Sequence, residues 1–239
     1  MACDEWLPKT LAPKKRPNPC IVESQAKVQG QPVTACRVRI WATIPEACHT
    51  LLFNFFDVFL FFLTFSMPNY QIRPAVQLDV PAVAEIHVAV WQAVYQNTMP
   101  EDFLTQMSVQ RRVTFWREAV EFGEPQLVLA TQDKKVVGFA GFDRSRDKGS
   151  KSTTGEIWAL YVLPEHWGQG AGLALWDSVR EGLKEEGCTQ VTVWTLLENQ
   201  RALRFFEQGA GFKREMPTLR TSAFGSARLE EIRLKRALD

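Results

Sequence analysis

The sequence predicts an α/β protein with a mixed central β-sheet flanked by helices. Three observations support this class. From Met67 onward, segments with strand period and segments with helix period alternate along the chain. A glycine-rich turn between Gly155 and Gly172 joins an apolar strand directly to a helix. A second strand, beginning near Thr189, is also followed at once by a helix. Such alternation is typical of a sheet that carries helices on its faces.

Each element of this region has its own sequence signature. In order, we expect a strand at Tyr70–Arg73, a helix from Asp79 to about Gln96, helices at Pro100–Gln106 and Ser108–Glu121, strands at Gln126–Thr131, Val136–Phe142 and Gly155–Val162, a helix to about Glu186, a strand at Thr189–Leu196, a helix from Asn199, and strands at Phe212–Met216 and Arg228–Arg236. Asp79 and Ser108 are residue types that cap helices, and Pro81 suits a first helical turn. Asp133-Lys-Lys135 joins two alternating runs as a hairpin.

The turn after Val162 carries glycines at positions 168, 170 and 172. Because glycine lacks a Cβ, this turn can bend tightly and direct several backbone N–H groups into one small space. The helix that follows adds the positive end of its dipole, which suits a pyrophosphate. A dinucleotide-binding fold would also place glycines here, with Glu185 or Glu186 as its acidic residue, but its loop usually opens the fold. A Walker loop is excluded because no Gly-Lys-Ser/Thr follows.

Two sequence blocks together point to one family. Trp167-Gly-Gln-Gly-Ala-Gly172 resembles the acyl-CoA loop of the GNAT superfamily of acyl-CoA-dependent N-acetyltransferases, Arg/Gln-x-x-Gly-x-Gly/Ala. About 30 residues on, Asn199 to Phe212 resembles the family's next block, N-x-x-A-x-x-F-Y-E-x-x-G-F, with one residue inserted before the final Gly-Phe. The resemblance implies a GNAT domain over residues 70–239. It would bind acetyl-CoA, without a metal, in the gap between two splayed parallel strands that end at Val162 and Leu196.

The resemblance assigns cosubstrate binding mainly to backbone amides. The amides of Leu160, Tyr161 and Val162 would lie along the pantetheine arm, and one of them would face the thioester carbonyl. The pyrophosphate would be held by the loop amides of Gly168, Gln169, Gly170, Ala171, Gly172 and Leu173. Trp167 replaces the family's Arg or Gln, but the amides carry the phosphate contact. Asn199 would cap its helix and offer its side-chain amide to the pantetheine.

The resemblance also implies a base and an acceptor wall. Glu156 matches the strand glutamate that serves as general base in several members, directly or through water. Strict alternation would put it on one face with Trp158 and Leu160, and the alternative is a rim glutamate bonded to the adjacent loop. His87, Trp91 and Tyr95, four residues apart on one helix, would form the amine-acceptor site together with Trp158. A core aromatic stripe is the alternative for the three helical residues, and His87 could also assist as a base.

Phe206 departs from the tyrosine that commonly gives a proton to the departing thiolate in this family. Water or another hydroxyl must then act, and Tyr161 is the nearest in sequence. Cys188 is expected to be a buried filler rather than a covalent relay. We therefore expect an N-acetyltransferase that transfers an acetyl group directly to a primary amine in a ternary complex. A non-catalytic acyl-CoA sensor and a nucleotide-binding oxidoreductase are the alternatives.

The first 66 residues differ in composition from the rest of the chain. They hold four of the 5 cysteines and show no sustained helix or strand period. Leu51–Phe65 is apolar, but Asn54 and Asp57 interrupt it, and it is shorter than the ~20 residues that span a bilayer. We expect an unstructured or spurious extension, with Met67 as the functional start. Membrane attachment and a partner-binding tail are the less favoured alternatives.

Charge and cysteine usage limit the partners. The chain has 28 basic and 27 acidic residues and no basic stripe interleaved with aromatic residues, so a nucleic-acid partner is not expected. Cys188 stands alone after residue 66 and no Cys-x-x-Cys motif occurs, which predicts a reducing, cytoplasmic location and no metal. The acceptor amine and the oligomeric state, a homodimer included, stay open.

Overall fold

The computed structural model describes residues 69–239. The predicted extension at 1–66, its apolar run and Met67 therefore lie outside the described residues. The strands are β1 (Gln71–Pro74), β2 (Gln126–Gln132), β3 (Lys135–Arg144), β4 (Thr154–Val162), β5 (Gln190–Leu196), β6 (Lys213–Arg214), β7 (Arg220–Phe224) and β8 (Ala227–Ala237). The α-helices are α1 (Val80–Tyr95), α2 (Glu101–Thr105), α3 (Val109–Phe122), α4 (Ala171–Glu185) and α5 (Gln200–Arg204).

These strands form an 8-stranded mixed sheet in the order β1-β2-β3-β4-β5-β8-β6, with β7 also paired to β8. Only β4 and β5 run parallel to each other within it; the other neighbouring pairs are antiparallel. The parallel ladder joins Thr154–Ile157 to Gln190–Val193. Beyond it, the two strands no longer pair with each other, although each keeps its other neighbour, so they separate and leave a gap in the sheet. The predicted α/β class with a mixed sheet is confirmed.

Helices cover both faces of the sheet. On one face, α4 buries Leu175, Val179 and Leu183 against strand residues such as Val191. On the other face, α1 and α3 pack together, and the fully buried Trp116 of α3 contacts Phe139 of β3. Burial of apolar area at about 25 cal/mol per Å² is the main stabilising contribution in both layers. The gap between β4 and β5 therefore lies between two rigid layers.

Helix starts follow the sequence in part. Ser108 caps α3, because its Oγ accepts the N–H of Arg111 at 3.3 Å as predicted. Asp79 occupies the position before α1, but its side chain does not cap that helix. Its carboxylate instead pairs with Arg73, with both oxygens at 2.7 Å, and accepts the N–H of Val76 at 2.9 Å. This pair fixes the entry from β1 into α1.

The last part of the sheet differs from the expectation. The strand expected at Phe212–Met216 is reduced to Lys213–Arg214, because Met216–Thr218 turns into a 3-10 helix that contains Pro217. β7 was not expected, since Arg220–Phe224 is polar with little alternation. It pairs with β8 as a hairpin, with Gly225 at φ +60°. A π-helical turn at Phe205–Gly209 follows α5.

Candidate active site

A cavity of about 650 Å³ opens where β4 and β5 separate, within the usual size range of ligand pockets. It is bounded by the free end of β4, the glycine loop, α5 with its π-helical turn, and one side of α1. The predicted site residues along its lining are Trp91, Tyr95, Trp158, Leu160, Tyr161, Val162, Gly168, Gly170, Gly172, Leu173 and Asn199. The fold thus collects predicted residues from four parts of the sequence around one space: α1, β4, the glycine loop and the start of α5.

The glycine loop forms one end of this cavity. Gly168 and Gly170 have φ of +73° and +95°, in the left-handed region that favours glycine. Gly170 is the N-cap residue of α4, and no side chain caps this helix. A Cβ at either position would meet nothing within 4 Å, so the surface above the loop is open. Free N–H groups and the positive helix end therefore face an accessible cradle, which fits a pyrophosphate.

Other loop residues have packing roles. A Cβ at Gly172 would lie 3.2 Å from the Phe205 ring, so this glycine permits contact between α4 and the π-helical turn. Ala171 is fully buried, and Gln169 turns its side-chain amide to the carbonyl of Glu165 at 2.6 Å. Neither Gln169 nor Ala171 lines the cavity. Their predicted contribution is therefore restricted to backbone amides.

Positive side chains reach the same end of the cavity from α5. Arg201 and Arg204 both line it, and neither was predicted as a site residue. The Arg201 guanidinium lies 4.0 Å from the ring centroid of Trp167, whose indole N–H donates to the carbonyl of Val162 at 2.6 Å. Trp167 replaces the family's Arg or Gln in this loop, but its ring holds the Arg201 guanidinium beside the loop. The Arg-x-x-Arg spacing in the second block was the available sequence signal.

A β-bulge at Trp158 corrects the predicted alternation in β4. Gly141 pairs with Ala159, whereas the next residue of β3 pairs with Ile157, so Trp158 is an extra residue. Ile157 and Leu160 consequently pack towards α4, while Ala159 packs towards α1. Glu156, on the face opposite Ile157, therefore shares the α1 face with Ala159 and not the face of Leu160. Pairing irregularities of this kind are not visible in a single sequence.

Glu156 is buried behind the cavity. It is 1% exposed and does not belong to the lining. Its Oε2 accepts the backbone N–H of Arg146 at 2.8 Å, and its Oε1 accepts from Arg146 Nε at 3.0 Å and from Nη2. The Arg146 guanidinium lies 4.2 Å from the ring centroid of Trp158. The carboxylate is thus bonded to the adjacent loop, but in the interior and not at the rim.

His87 is a core residue, which corrects its assignment to the acceptor wall. It is 4% exposed, does not line the cavity, and packs among Trp91, Trp116 and Tyr161. Its Nδ1 accepts the indole N–H of Trp116 at 3.2 Å, so any ring proton is on Nε2. Burial, with a contribution from the charge of Arg112, holds the pKa of His87 well below its ordinary value. The neutral ring supports the packing of α1 on α3.

A row of hydrogen-bonded side chains crosses the cavity from β4 to α5. The Trp91 indole N–H donates to the hydroxyl of Tyr161 at 2.9 Å. The Trp91 and Tyr95 rings are 5.1 Å apart, and the Tyr95 hydroxyl accepts from Asn199 Nδ2 at 3.0 Å. Asn199 Oδ1 accepts the N–H of Ala202 at 3.0 Å, which confirms Asn199 as the cap of α5. Trp91 and Tyr95 thus bridge both sides of the gap.

Phe206 lines the cavity from the π-helical turn. It is 5% exposed and packs edge-on against Phe205 and Phe212. A phenyl ring can neither donate nor accept a proton, so this part of the wall is apolar. The hydroxyl groups available in the lining come from other elements.

The opposite end of the cavity has an aromatic and charged boundary that the sequence did not predict. Trp194 and Phe224 line it beside Trp158. The Trp194 indole N–H donates to Asp147 at 3.1 Å, and Asp147 also pairs with Arg233 at 2.6 Å. The Trp158 Nε1 atom is buried and has no hydrogen-bond partner within residues 69–239. The polar loop after β3 therefore braces this wall.

The part of the chain that the structure describes has neither a grouped set of metal ligands nor a membrane-spanning helix. No three His, Cys, Asp or Glu side chains there are grouped so that they could hold a metal ion. None of the helices there combines the length and the apolar character needed to cross a bilayer. Cys188 is buried outside the lining, and burial raises the pKa of its thiol.

Similar proteins are consistent with this geometry. An uncharacterised N-acetyltransferase of Bacillus subtilis, YuaI, is 32% identical over 130 residues, which are 54% of this chain and 72% of that protein. An uncharacterised N-acetyltransferase of Mycobacterium tuberculosis is 30% identical over 133 residues, 56% of this chain and 72% of its own length.

Solved structures share the fold. The acetyltransferase yncA from Salmonella typhimurium, solved with its cofactor acetyl-CoA, has a TM-score of 0.57 at 21% identity over 72% of this chain and 95% of its own. The PaiA N-acetyltransferase from Thermoplasma acidophilum, solved with coenzyme A, has a TM-score of 0.54 at 18% identity, over 68% of this chain and 98% of its own.

The model of the acetyltransferase (GNAT) family matches residues 83–212, which contain most of α1, the splayed strands, the glycine loop and the Asn199 block. The chain therefore belongs to the GNAT family of acetyltransferases.

Proposed function

We propose that this chain binds acetyl-CoA in the cavity between β4 and β5 and transfers the acetyl group to a primary amine. One observation carries the proposal: a single continuous cavity connects the cradle at the start of α4 with the aromatic wall on α1 and β4. A molecule with a diphosphate at one end and a thioester at the other fits between these two ends. The amine would enter at the aromatic end.

The cosubstrate would be held mainly by backbone groups. Antiparallel pairing turns alternate N–H groups of β4 towards β3, and because the Leu163 N–H donates to Val137, the Tyr161 amide also faces β3. The amides of Leu160 and Val162 face the side of β4 that has no partner in β5, so they are available to the pantetheine arm. The amides of Gly168 to Leu173 would bind the pyrophosphate, with Arg201 and Arg204 neutralising its charge. The second N–H of the Asn199 amide would reach the pantetheine. The bound ligands of yncA and PaiA support this choice of cosubstrate.

Direct transfer is supported by the cysteine chemistry of residues 69–239. Cys188, the single cysteine there, lies outside the lining, and its raised thiol pKa disfavours the reactive thiolate. Within that region, a covalent acyl-enzyme has no cysteine to carry it. The amine and acetyl-CoA would be bound together in a ternary complex, with the amine nitrogen attacking the thioester carbon.

Glu156 is the proposed general base, acting through water. Its carboxylate lies on the α1 face of β4, behind Trp158, on the side from which the amine would enter. Because it is almost fully buried and bonded to Arg146, it would accept the amine proton through ordered water and not by direct contact. This water-mediated role follows from its place behind the aromatic wall.

A non-catalytic acyl-CoA sensor is the second candidate, favoured by Phe206 at the position of the family's tyrosine. Such a protein would keep the cradle and lose transfer. The oxidoreductase alternative has no support from the family assignment.

The test measures free thiol released from acetyl-CoA by the full chain with a panel of amines: an aromatic monoamine, a polyamine, an aminoglycoside and a peptide N-terminus. We expect release with at least one amine and initial-rate lines that intersect when both substrates are varied, as a ternary complex requires. Parallel lines would indicate an acyl-enzyme. Tight acetyl-CoA binding without release for every amine would favour the sensor.

A further inference from the structure

Phe206 leaves the departing sulfur without a proton donor at that wall. The chain has 3 tyrosines, Tyr70, Tyr95 and Tyr161, and all lie within the described residues. Tyr70 is outside the cavity lining, where its hydroxyl contacts His166 and Gln169. Tyr95 and Tyr161 both line the cavity. The only other hydroxyl of the lining in residues 69–239 belongs to Thr195, and an aliphatic alcohol is a far weaker acid than a phenol.

The two phenols stand on opposite sides of the gap. Tyr161 belongs to β4, and its hydroxyl is bonded to Trp91 of α1. The Tyr95 hydroxyl is bonded to Asn199 at the start of α5, the helix that leads into Phe206. If Glu156 of β4 receives the amine proton, the amine approaches the acyl carbon from the β4 side. The sulfur ends the pantetheine arm that the Asn199 amide would contact, so it would lie near the Tyr95 hydroxyl, which is bonded to the same amide.

The hydrogen bonds leave the Tyr95 proton available. Asn199 Oδ1 already accepts the N–H of Ala202, so the group facing Tyr95 is the Nδ2 donor. The Tyr95 oxygen is therefore an acceptor in this contact, and its own O–H can donate into the cavity. Asn199 is fixed as the cap of α5, so it holds the hydroxyl in place. The Tyr95 hydroxyl is thus held in place and keeps its own proton free to donate.

We propose that Tyr95 is the general acid of the reaction and protonates the leaving thiolate in place of a residue at position 206. The inference rests on the proposed transferase function. The amine nitrogen forms the N–C bond and loses one proton through water to Glu156. The C–S bond breaks, its electron pair stays on sulfur, and the Tyr95 O–H proton converts the thiolate to a thiol. Tyr95 regains a proton from solvent as Glu156 releases one, so the products are an amide and coenzyme A.

The electrostatic environment is consistent with this role. Burial, with a smaller contribution from Tyr161, raises the pKa of Tyr95 above its ordinary value, although the bond from Asn199 acts in the opposite direction. The hydroxyl therefore carries its proton throughout the neutral pH range. A thiolate formed against the apolar wall at Phe206 is also destabilised by desolvation, which favours transfer of the proton to it.

The test is a double-mutant cycle between Tyr95→Phe and Phe206→Tyr. Tyr95→Phe keeps the ring and removes the acid, so kcat should fall on the order of 10²-fold with little change in acetyl-CoA affinity. Phe206→Tyr alone should change kcat little, because the acid is present. In the Tyr95→Phe background it should restore most of the loss. Tyr70→Phe, the same deletion outside the cavity, should leave kcat close to wild type.

Each contrary result has a distinct meaning. A large gain from Phe206→Tyr in the wild-type background would show that the native chain lacks an acid, and it would overturn the proposal even if Tyr95→Phe did not fold. If Tyr95→Phe folds and keeps the wild-type kcat, the general-acid role of Tyr95 is wrong, but the proposed transferase function is unaffected. Phe206→Tyr could instead restore kcat in the Tyr161→Phe background and not in the Tyr95→Phe background. That result would assign the general acid to Tyr161. Absence of transfer in the wild type with every amine would overturn both proposals.

Discussion

The buried pair of Glu156 and Arg146 shows how one residue can have both a structural and a chemical role. A carboxylate that is 1% exposed is stable only with a partner, and Arg146 supplies three donors from the adjacent loop. Removing one partner of such a pair commonly costs about 3–5 kcal/mol, because the other charge stays buried. An activity loss at Glu156 must therefore be separated from a loss of stability.

Glu156→Gln tests the base. The amide keeps the shape and can still accept from Arg146, but it cannot take the amine proton. We expect turnover to fall on the order of 10²-fold between pH 6 and 9 with acetyl-CoA affinity retained.

Arg146→Gln is the matched control for this change. It removes the charge of the partner and keeps the carboxylate, so it should lower the free energy of unfolding more than Glu156→Gln and reduce turnover less. Equal turnover losses in the two variants would mean that the ion pair, and not proton transfer, explains the effect of Glu156.

At the scale of elements, the loop at the start of α4 and an exposed loop after β3 offer a matched comparison. Gly170 and Gly149 have φ of +95° and +79°, and a Cβ at either would meet nothing within 4 Å. Valine at each position should therefore cause similar backbone strain, about 1–2 kcal/mol. At Gly170 the side chain would also occupy the cradle.

We expect Gly170→Val to weaken acetyl-CoA binding by at least about tenfold, equivalent to 1.4 kcal/mol, and Gly149→Val to leave affinity unchanged. Isothermal titration calorimetry on folded variants measures the difference. Equal affinities in both variants would remove the glycine loop from the account of cosubstrate binding.

The packing of α1 on α3 predicts a pH dependence of stability. His87 has a folded pKa well below its ordinary value of 6.5, so the unfolded chain binds a proton near that pH that the folded chain does not. This contribution to stability is fully present above pH 6.5. It is lost as the pH falls, by about 1.4 kcal/mol per pH unit.

His87→Gln should flatten this dependence between pH 6.5 and 5, because a glutamine oxygen can accept the Trp116 N–H without titrating. Urea unfolding at several pH values gives both slopes. Identical slopes in the two proteins would show that another group controls stability in this range.

For the whole molecule, we predict that a truncated chain beginning at Met67 folds and acts like the full chain. Within residues 69–239, three core clusters form and a cavity is lined from several elements, so this region has the features of a domain that folds by itself. The midpoint of thermal unfolding and kcat should match those of the full chain. Loss of folding on truncation would show that the first 66 residues contribute to the domain. The cytoplasmic location and a homodimer also stay predictions.

The sequence was sufficient for much of the fold and for the backbone geometry of the glycine loop. Strand and helix periods, the Ser108 cap and the glycines at 168 and 170 depend on local backbone geometry, which neighbouring residues determine. Asn199 caps its helix for the same reason. Helix caps and glycine turns can be predicted from the sequence because the residues that determine them lie within a few positions of each other.

Tertiary structure alone decided which of these residues meet. Two of the corrections have a long-range cause: the bulge at Trp158 comes from pairing with β3, and the neutral His87 from burial against Trp116. The use of Asp79 comes from its pair with Arg73, 6 residues earlier, which forms only once β1 and α1 are in place. The contact between Tyr95 and Asn199 joins residues 104 positions apart, and no local pattern encodes it. Side-chain chemistry at the aromatic end of the cavity depends on such contacts, because burial and partners, together with residue type, determine which groups can give or take a proton.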